Sequence, residues 1–176
     1  MDPRPGTLIR YAAVADAPWR NGGGRTRQFH AGAGWRLSIA TISAAGAFSA
    51  FPGTDRTLVV AGGRLRLSIG ARGERELTEG DLVRFGGEDP VSAVPVGGPV
   101  AAVNVMTERS RCAASVQVIR LDGAAPAADA VVLLAGAATA SGVQLAARDA
   151  VLDAAEGAVH GDGALVALVS ISEGQS

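Results

Sequence analysis

Residues 35–42 read Trp35-Arg36-Leu37-Ser38-Ile39-Ala40-Thr41-Ile42. In an extended chain Trp35, Leu37 and Ile39 point to one side and Arg36, Ser38 and Ala40 to the other, since successive strand side chains alternate. The same two-residue period returns in Arg64 to Ile69 and in Val103-Asn104-Val105-Met106-Thr107. Thr57 to Val60, Leu82 to Phe85, Val91 to Val96 and Ser115 to Arg120 add further short apolar runs. Gly62-Gly63, Gly80-Asp81 and Gly97-Gly98-Pro99 separate them. Short alternating segments, punctuated by turn residues roughly every 8–12 positions, predict an all-β sandwich or barrel.

The pattern thins at Leu121 to Ala130, whose small residues and single proline read as a connector. Residues 1–120 then form a main barrel lobe. Val131 to Leu134, Val143 to Leu145, Val151-Leu152 and Leu165 to Ile171 resume the strand-like texture. The stretch 131–176 is short for a barrel of ordinary size, so it is expected to form a second, smaller β lobe completed by an N-terminal strand at Thr7 to Val14. Gln144 to Ala155 stays open between strand and helix, because its Ala, Leu and Arg content suits either.

Composition removes several function classes. Of 176 residues, 48% are hydrophobic and 19% charged, which is a folded rather than a disordered composition. The net charge of −1 and the acidic residues interleaved with Arg64, Arg66, Arg72 and Arg75 argue against a nucleic-acid partner. All basic residues are Arg, so a lysine Schiff base and a Walker-type phosphate site are excluded. One cysteine, Cys112, allows no intramolecular disulfide and reads as a small strand residue. The only histidines, His30 and His160, lie in opposite halves of the chain, so no metal centre and no cofactor are expected; His160, beside Gly161, reads as a loop residue. No nucleophile elbow of the G-x-S-x-G form occurs. Asp2 to Pro5 do not open a signal peptide and no apolar run is long enough to span a bilayer, so no membrane partner and a cytoplasmic location are expected.

Four stretches carry candidate chemistry. Pro18-Trp19-Arg20-Asn21-Gly22-Gly23-Gly24-Arg25-Thr26 is a glycine-rich loop. It reads either as a pocket mouth, with Asn21 or Thr26 hydrogen-bonding a ligand, or as a tight turn with Asn21 in the left-handed region. Arg36 and Ser38 share a strand face; if that face lines a lumen, Arg36 is a buried guanidinium in need of an anion, and a ligand carboxylate matches its planar fork. If the face is the solvent side, Arg36 is a surface residue. Phe48 and Phe51 supply an apolar wall or pin a loop, while the adjacent Asp55 and Arg56 point to opposite faces and cannot act together. Asn104 and Met106 share a face, one offering hydrogen bonds and the other shape.

Taken in order, four blocks resemble the HutD/Ves family: Trp19 to Thr26, Trp35 to Ala40, Gly46 to Arg56 and Val103 to Thr107. The resemblance covers about residues 8–120, the rest matching in length and β-rich texture. It implies a double-stranded, cupin-like β-barrel fold of bicupin form, without the usual cupin metal ligands. It also implies association with histidine utilisation, as a regulator or metabolite sensor. That pathway's intermediates are imidazole or acyl-amino carboxylates. Carried over, Trp19, Asn21, Thr26, Arg36, Ser38, Phe48, Asp55, Arg56, Asn104 and Met106 become pocket candidates. Gln28 departs from the family, which often has an acidic residue there, so a role for that carboxylate does not carry over.

The expectation is therefore a small-molecule-binding protein for a small carboxylate, with Arg36 as anchor; a homodimer is left open. Two alternatives stand beside it. One is a metal-independent isomerase or hydrolase of an acyl-amino acid, with Asp55 as its acid or base. The other is an interaction module with a vestigial pocket.

Overall fold

The computed structural model describes residues 6–174; Asp2 to Pro5, taken above as evidence against a signal peptide, lie outside that range. In chain order the strands begin with β1 (Thr7–Ile9), β2 (Asp16–Pro18), β3 (Gly24–Gly32), β4 (Trp35–Ile42), β5 (Gly46–Ala47) and β6 (Thr54–Gly62). Then come β7 (Arg64–Ile69), β8 (Glu74–Thr78), β9 (Leu82–Gly86), β10 (Val91–Pro95) and β11 (Val100–Glu108). The last are β12 (Cys112–Ala124), β13 (Ala128–Ala140), β14 (Val143–Gln144), β15 (Ala150–Ala154) and β16 (Val159–Glu173). Two short 3-10 turns are the only helical elements among the described residues, and no helix is long and apolar enough to cross a membrane.

Two compact units emerge. One comprises residues 15–113 with 172–174; it carries a sheet ordered β2-β3-β4-β11-β6-β9 and a second ordered β5-β10-β7-β8. Ala40, Ile42, Leu58, Val60, Val100 and Ala102 from the first sheet meet Leu65, Leu67, Ile69, Val91 and Ala93 from the second in a single buried cluster. Alternation dictates this arrangement: each strand gives one set of its side chains to the space between the sheets. Leu37, Ile39, Val59, Val103 and Val105, on the other face of the larger sheet, are buried as well. Strands covered on both faces lose their polar alternation, which is why β6 and β11 read as nearly continuous apolar runs.

The other unit comprises residues 6–14 and 114–171, with strand order β1-β15-β13-β16-β12 and β14 on β13. The N-terminal β1 pairs with β15, Leu8 opposite Val151. Register shifts in β13 around Ala135 bend the long strand, and one sheet encloses a core of small residues including Ala138, Ala140, Ala154 and Ala164.

Three sequence expectations change here. Ser115 to Arg120 fall in the second unit, so the division comes after Ala113 rather than after Arg120. The expected connector 121–130 is mostly strand: 121–124 end β12 and 128–130 begin β13. Its small side chains serve close packing rather than flexibility, since Ala125 and Ala130 are buried. His160 lies on β16 opposite Thr139, not in a loop. The open segment Gln144 to Ala155 resolves as strands β14 and β15 about a turn.

That turn is held by Asp149, a buried carboxylate that accepts from the Tyr11 and Ala146 amides at 2.9 Å and pairs with Arg10 at 2.7 Å. Burial pushes its pKa up, but the two amides and Arg10 outweigh burial and leave it below the ordinary aspartate value. A depressed carboxylate stabilises the fold above the unfolded-state pKa and ceases to do so as pH falls through the folded-state value. Asp149→Asn should therefore lower the unfolding free energy by about 2 kcal/mol at neutral pH. The gap from wild type should narrow below about pH 4, as urea titrations across pH will show.

Candidate functional site

The face of β4 that carries Arg36 and Ser38 points between the two sheets of the 15–113 unit. Register across β4, β11 and β6 builds it in rows: Arg36, Met106 and Arg56; then Ser38, Asn104 and Leu58; then Ala40, Ala102 and Val60. The deepest rows are apolar and filled. Nearer the strand ends the packing opens into a cavity of about 460 Å³ lined by Trp19, Asn21, Thr26, Arg36, Ser38, Phe48, Arg56, Asn104 and Met106. Nine of the ten sequence candidates thus converge, together with Arg20, Ser49 and Phe51.

Asp55 is the exception. It neighbours Arg56 on β6, so it faces outward, where Arg109 pairs with it at 2.8 Å and with Glu88 at 3.0 Å. It cannot serve the cavity as acid or base, and it does not pair with Arg36.

The two central arginines differ in burial. Arg36 sits at the strand end and is exposed, its guanidinium 5.9 Å from the Phe51 ring centroid. Arg56 is the buried one, at 6% exposure. Phe48, Phe51 and Phe85 surround its guanidinium at 5.4, 5.4 and 5.0 Å. Its Nη1 donates to the Ser49 carbonyl at 3.2 Å and its Nη2 to Asn104 Oδ1 at 3.4 Å, both long for a charged donor. Its Nε has no partner. Among the described residues no carboxylate pairs with Arg56 or with Arg36. Burial, and secondarily repulsion from Arg36, push the Arg56 pKa down to about 10, so the group stays charged at neutral pH. The depression means that burial still disfavours the charge despite the aromatic rings.

Two close backbone approaches shape the rim. Phe51 donates its amide to the Gly87 carbonyl at 2.7 Å, and Gly87 donates to the Thr54 carbonyl at 2.8 Å. A Cβ on Gly87 would come within 2.1 Å of both the Phe51 carbonyl oxygen and Thr54 Oγ1, so only glycine lets this loop press Phe51 against Arg56. Opposite, Gly24 lies under the Trp19 ring, where a Cβ would come within 3.0 Å. Trp19 Nε1 donates to Thr26 Oγ1 at 2.7 Å and the indole meets Phe48 edge-on. Gly22, at φ +73°, takes the left-handed position of the turn, not Asn21, whose Oδ1 accepts from the Gly23 amide at 2.9 Å. Trp19, Thr26 and Asn21 Oδ1 are thus partnered within the loop, whereas the Ser38 hydroxyl, buried at the cavity wall, has no partner among the described residues.

Arginine lines this cavity where a metal-binding cupin would place histidine and carboxylate, so the donor set does not fit a metal cation. His30 is elsewhere, stacked on Trp35 with ring centroids 4.1 Å apart. Two features escaped the sequence reading. One is Phe85 as part of the aromatic cage; the other is the burial of Arg56. The lone Phe85 on β9 gave no signal, but Arg56 did: counting alternate positions on Thr54 to Gly62 puts it with Leu58 and Val60 on an inward face.

The HutD family model matches residues 11–171. An uncharacterized 21.2 kDa protein in the hutC 3′ region of Pseudomonas putida is 36% identical over 118 residues, 62% of this chain and 62% of its own. Protein Ves of Citrobacter koseri is 36% identical over 112 residues, 57% of this chain and 56% of its own. The chain therefore spans less than two thirds of these curated relatives. Among solved structures, HutD from Pseudomonas fluorescens SBW25, in a formate condition, superposes with a TM-score of 0.79 at 27% identity, covering 95% of this chain and 98% of that one. A conserved protein of unknown function from Pseudomonas aeruginosa PAO1 gives 0.77 at 26% identity, with the same coverage. Oxalate decarboxylase from Lactobacillus farciminis, at 10% identity, covers 95% of this chain with a TM-score of 0.61 and shows the fold alone: two cupin-like units in one chain.

Because Asp55 and Arg109 are both about half exposed, Asp55→Asn should shift the unfolding free energy by less than about 1 kcal/mol.

Proposed function

The chain belongs to the HutD family, and on that premise we propose that it captures a small carboxylate metabolite in the cavity around Arg56, as a binding or sensor protein linked to histidine utilisation. One observation carries this reading: Arg56 is a buried cation with no carboxylate partner among the described residues. Charges are rarely buried unpaired, because desolvation costs several kcal/mol per ion. Three phenylalanine faces recover only part of that, at about 0.5–2 kcal/mol each. A ligand carboxylate completes the balance, accepting from the guanidinium N–H groups that the Ser49 carbonyl and Asn104 leave free.

The remaining lining fits the same ligand. Arg20 and Arg36 at the rim, with no acidic residue in the wall, raise the local concentration of anions. The Ser38 hydroxyl and the Asn104 side-chain amide stand one row deeper and add neutral hydrogen bonds to the body of the ligand. Trp19, Phe48 and Phe51 exclude water from it, which strengthens each polar contact. The hutC-region relative supports the link to histidine utilisation. No Asp, Glu, His, Cys, Tyr or Lys lines the cavity, so a general acid or base has no candidate there, and binding without turnover is the better reading.

Calorimetric titration with formate and acetate tests the proposal. Wild type should bind, and Arg56→Gln should weaken binding at least tenfold, since a charge-assisted hydrogen bond contributes about 1.5–3 kcal/mol. Arg36→Gln should cost less, because its guanidinium is solvated. Affinity should stay level from about pH 6 to about pH 9 and fall above about pH 10, where Arg56 loses its proton. Equal affinity in the Arg56→Gln variant would refute the assignment.

A further inference from the structure

Met106 stands in the middle of the first row, with Arg36 and Arg56 as its cross-strand neighbours on the same face. Directly opposed strand neighbours bring their Cβ atoms to about 5 Å. Its side chain lines the lumen and also a second cavity of about 310 Å³, which reaches Gly34, Thr54 and Arg111. The residue thus borders two cavities, although it is only 8% exposed overall. The guanidiniums on either side have no acidic partner among the described residues. A thioether is a weak acceptor for such donors, whereas a sulfoxide oxygen carries substantial negative charge and accepts strongly.

We propose that Met106 is an oxidation-sensitive modification site: a peroxide converts its thioether to the sulfoxide, and the new oxygen takes the anion's place between Arg36 and Arg56. The inference rests on the carboxylate-binding reading and adds to it a covalent means of closing the site. In the step, the sulfur lone pair attacks one peroxide oxygen, an S–O bond forms and the O–O bond breaks. Two electrons pass from sulfur to peroxide. The departing hydroxide takes the proton of the transferred hydroxyl and leaves as water. Sulfoxide reductases reverse the change, so the closure is switchable.

The other sulfur of the described residues does not compete. Cys112 is buried, its thiol donates to the Gly34 carbonyl at 3.2 Å, and burial pushes its pKa up, which keeps it in the unreactive protonated form.

The test exposes the full chain to hydrogen peroxide and follows the tryptic peptide 85–109, which contains Met106 and no other methionine or cysteine. Mass spectrometry should show one added oxygen on that peptide, and saturating formate should slow its appearance several-fold. Formate binding by the oxidised protein should be at least tenfold weaker, and methionine sulfoxide reductase should restore it. Whatever the formate affinity of untreated Met106→Leu, peroxide should leave it unchanged. Three outcomes overturn the inference: no oxygen uptake at Met106, unchanged formate affinity after uptake, or loss of formate binding in peroxide-treated Met106→Leu. If untreated wild type binds neither formate nor acetate, the carboxylate reading itself falls and the inference with it, which the untreated arm separates from the other failures.

Discussion

A guanidinium buried among three phenylalanine rings, with no carboxylate beside it among the described residues, is the constraint around which this site is organised. Arg56 cannot shed its proton at neutral pH and cannot reach bulk water. The aromatic faces offset some of the desolvation, and the Ser49 carbonyl and Asn104 offset a little more through long hydrogen bonds. What remains is a standing preference for an anion, set inside a cavity whose entrance carries two further arginines. The loops serve the same end. Gly87 lets the Phe51 segment close against β6, and Gly24 gives the Trp19 ring its seat. Neither approach tolerates a side chain, so the rim geometry is written into backbone contacts rather than into flexible polar groups.

The two units use similar strands differently. Between the sheets of the 15–113 unit, long side chains fill one end and leave the other open, and the open end is where polar residues replace Leu and Val along β4, β6 and β11. In the 114–171 unit the corresponding interior is tiled with alanine and valine, which pack closely and leave little space for a ligand. Asp149 anchors the N-terminal segment there through Arg10 and the Tyr11 amide. Its charge is thus structural and fully partnered, in contrast to Arg56. The comparison separates two buried ions: among the described residues Asp149 has its counter-charge in Arg10, and Arg56 has none.

Much of this was legible in the residues alone. Alternation in Trp35 to Ile42 and Val103 to Thr107 groups Arg36 with Ser38 and Asn104 with Met106 but leaves open whether that face meets lumen or solvent; the fold turns it inward, and nine candidates from four separate stretches meet there. What could not be read was depth. Arg36 and Arg56 each alternate with apolar neighbours, and only the register of three strands shows that both flank Met106 while one reaches solvent and the other is covered by the Phe48 and Phe51 segment. Asp55 stands as the acid or base candidate because neither histidine lies in a block that resembles the family, yet its neighbour Arg56 faces the lumen, and alternation therefore turns Asp55 outward. The division between units was misplaced because small residues from 121 to 130 suggest a loop, whereas here alanine is what a narrow core requires.

The central claim is that Arg56 is retained for an anion and not for stability. Urea unfolding of Arg56→Met, in buffer free of carboxylate, phosphate and sulfate, addresses it directly. Replacing a buried ion by an apolar side chain of similar length is neutral or stabilising by about 1–4 kcal/mol when the ion contributes nothing to the fold. The account predicts an unfolding free energy equal to or above that of wild type, together with loss of the extra stability that formate confers on the wild-type protein. A variant less stable than wild type by about 3 kcal/mol or more, the usual cost of breaking a buried ion's partnerships, would show that the guanidinium is a structural element and contradict the account.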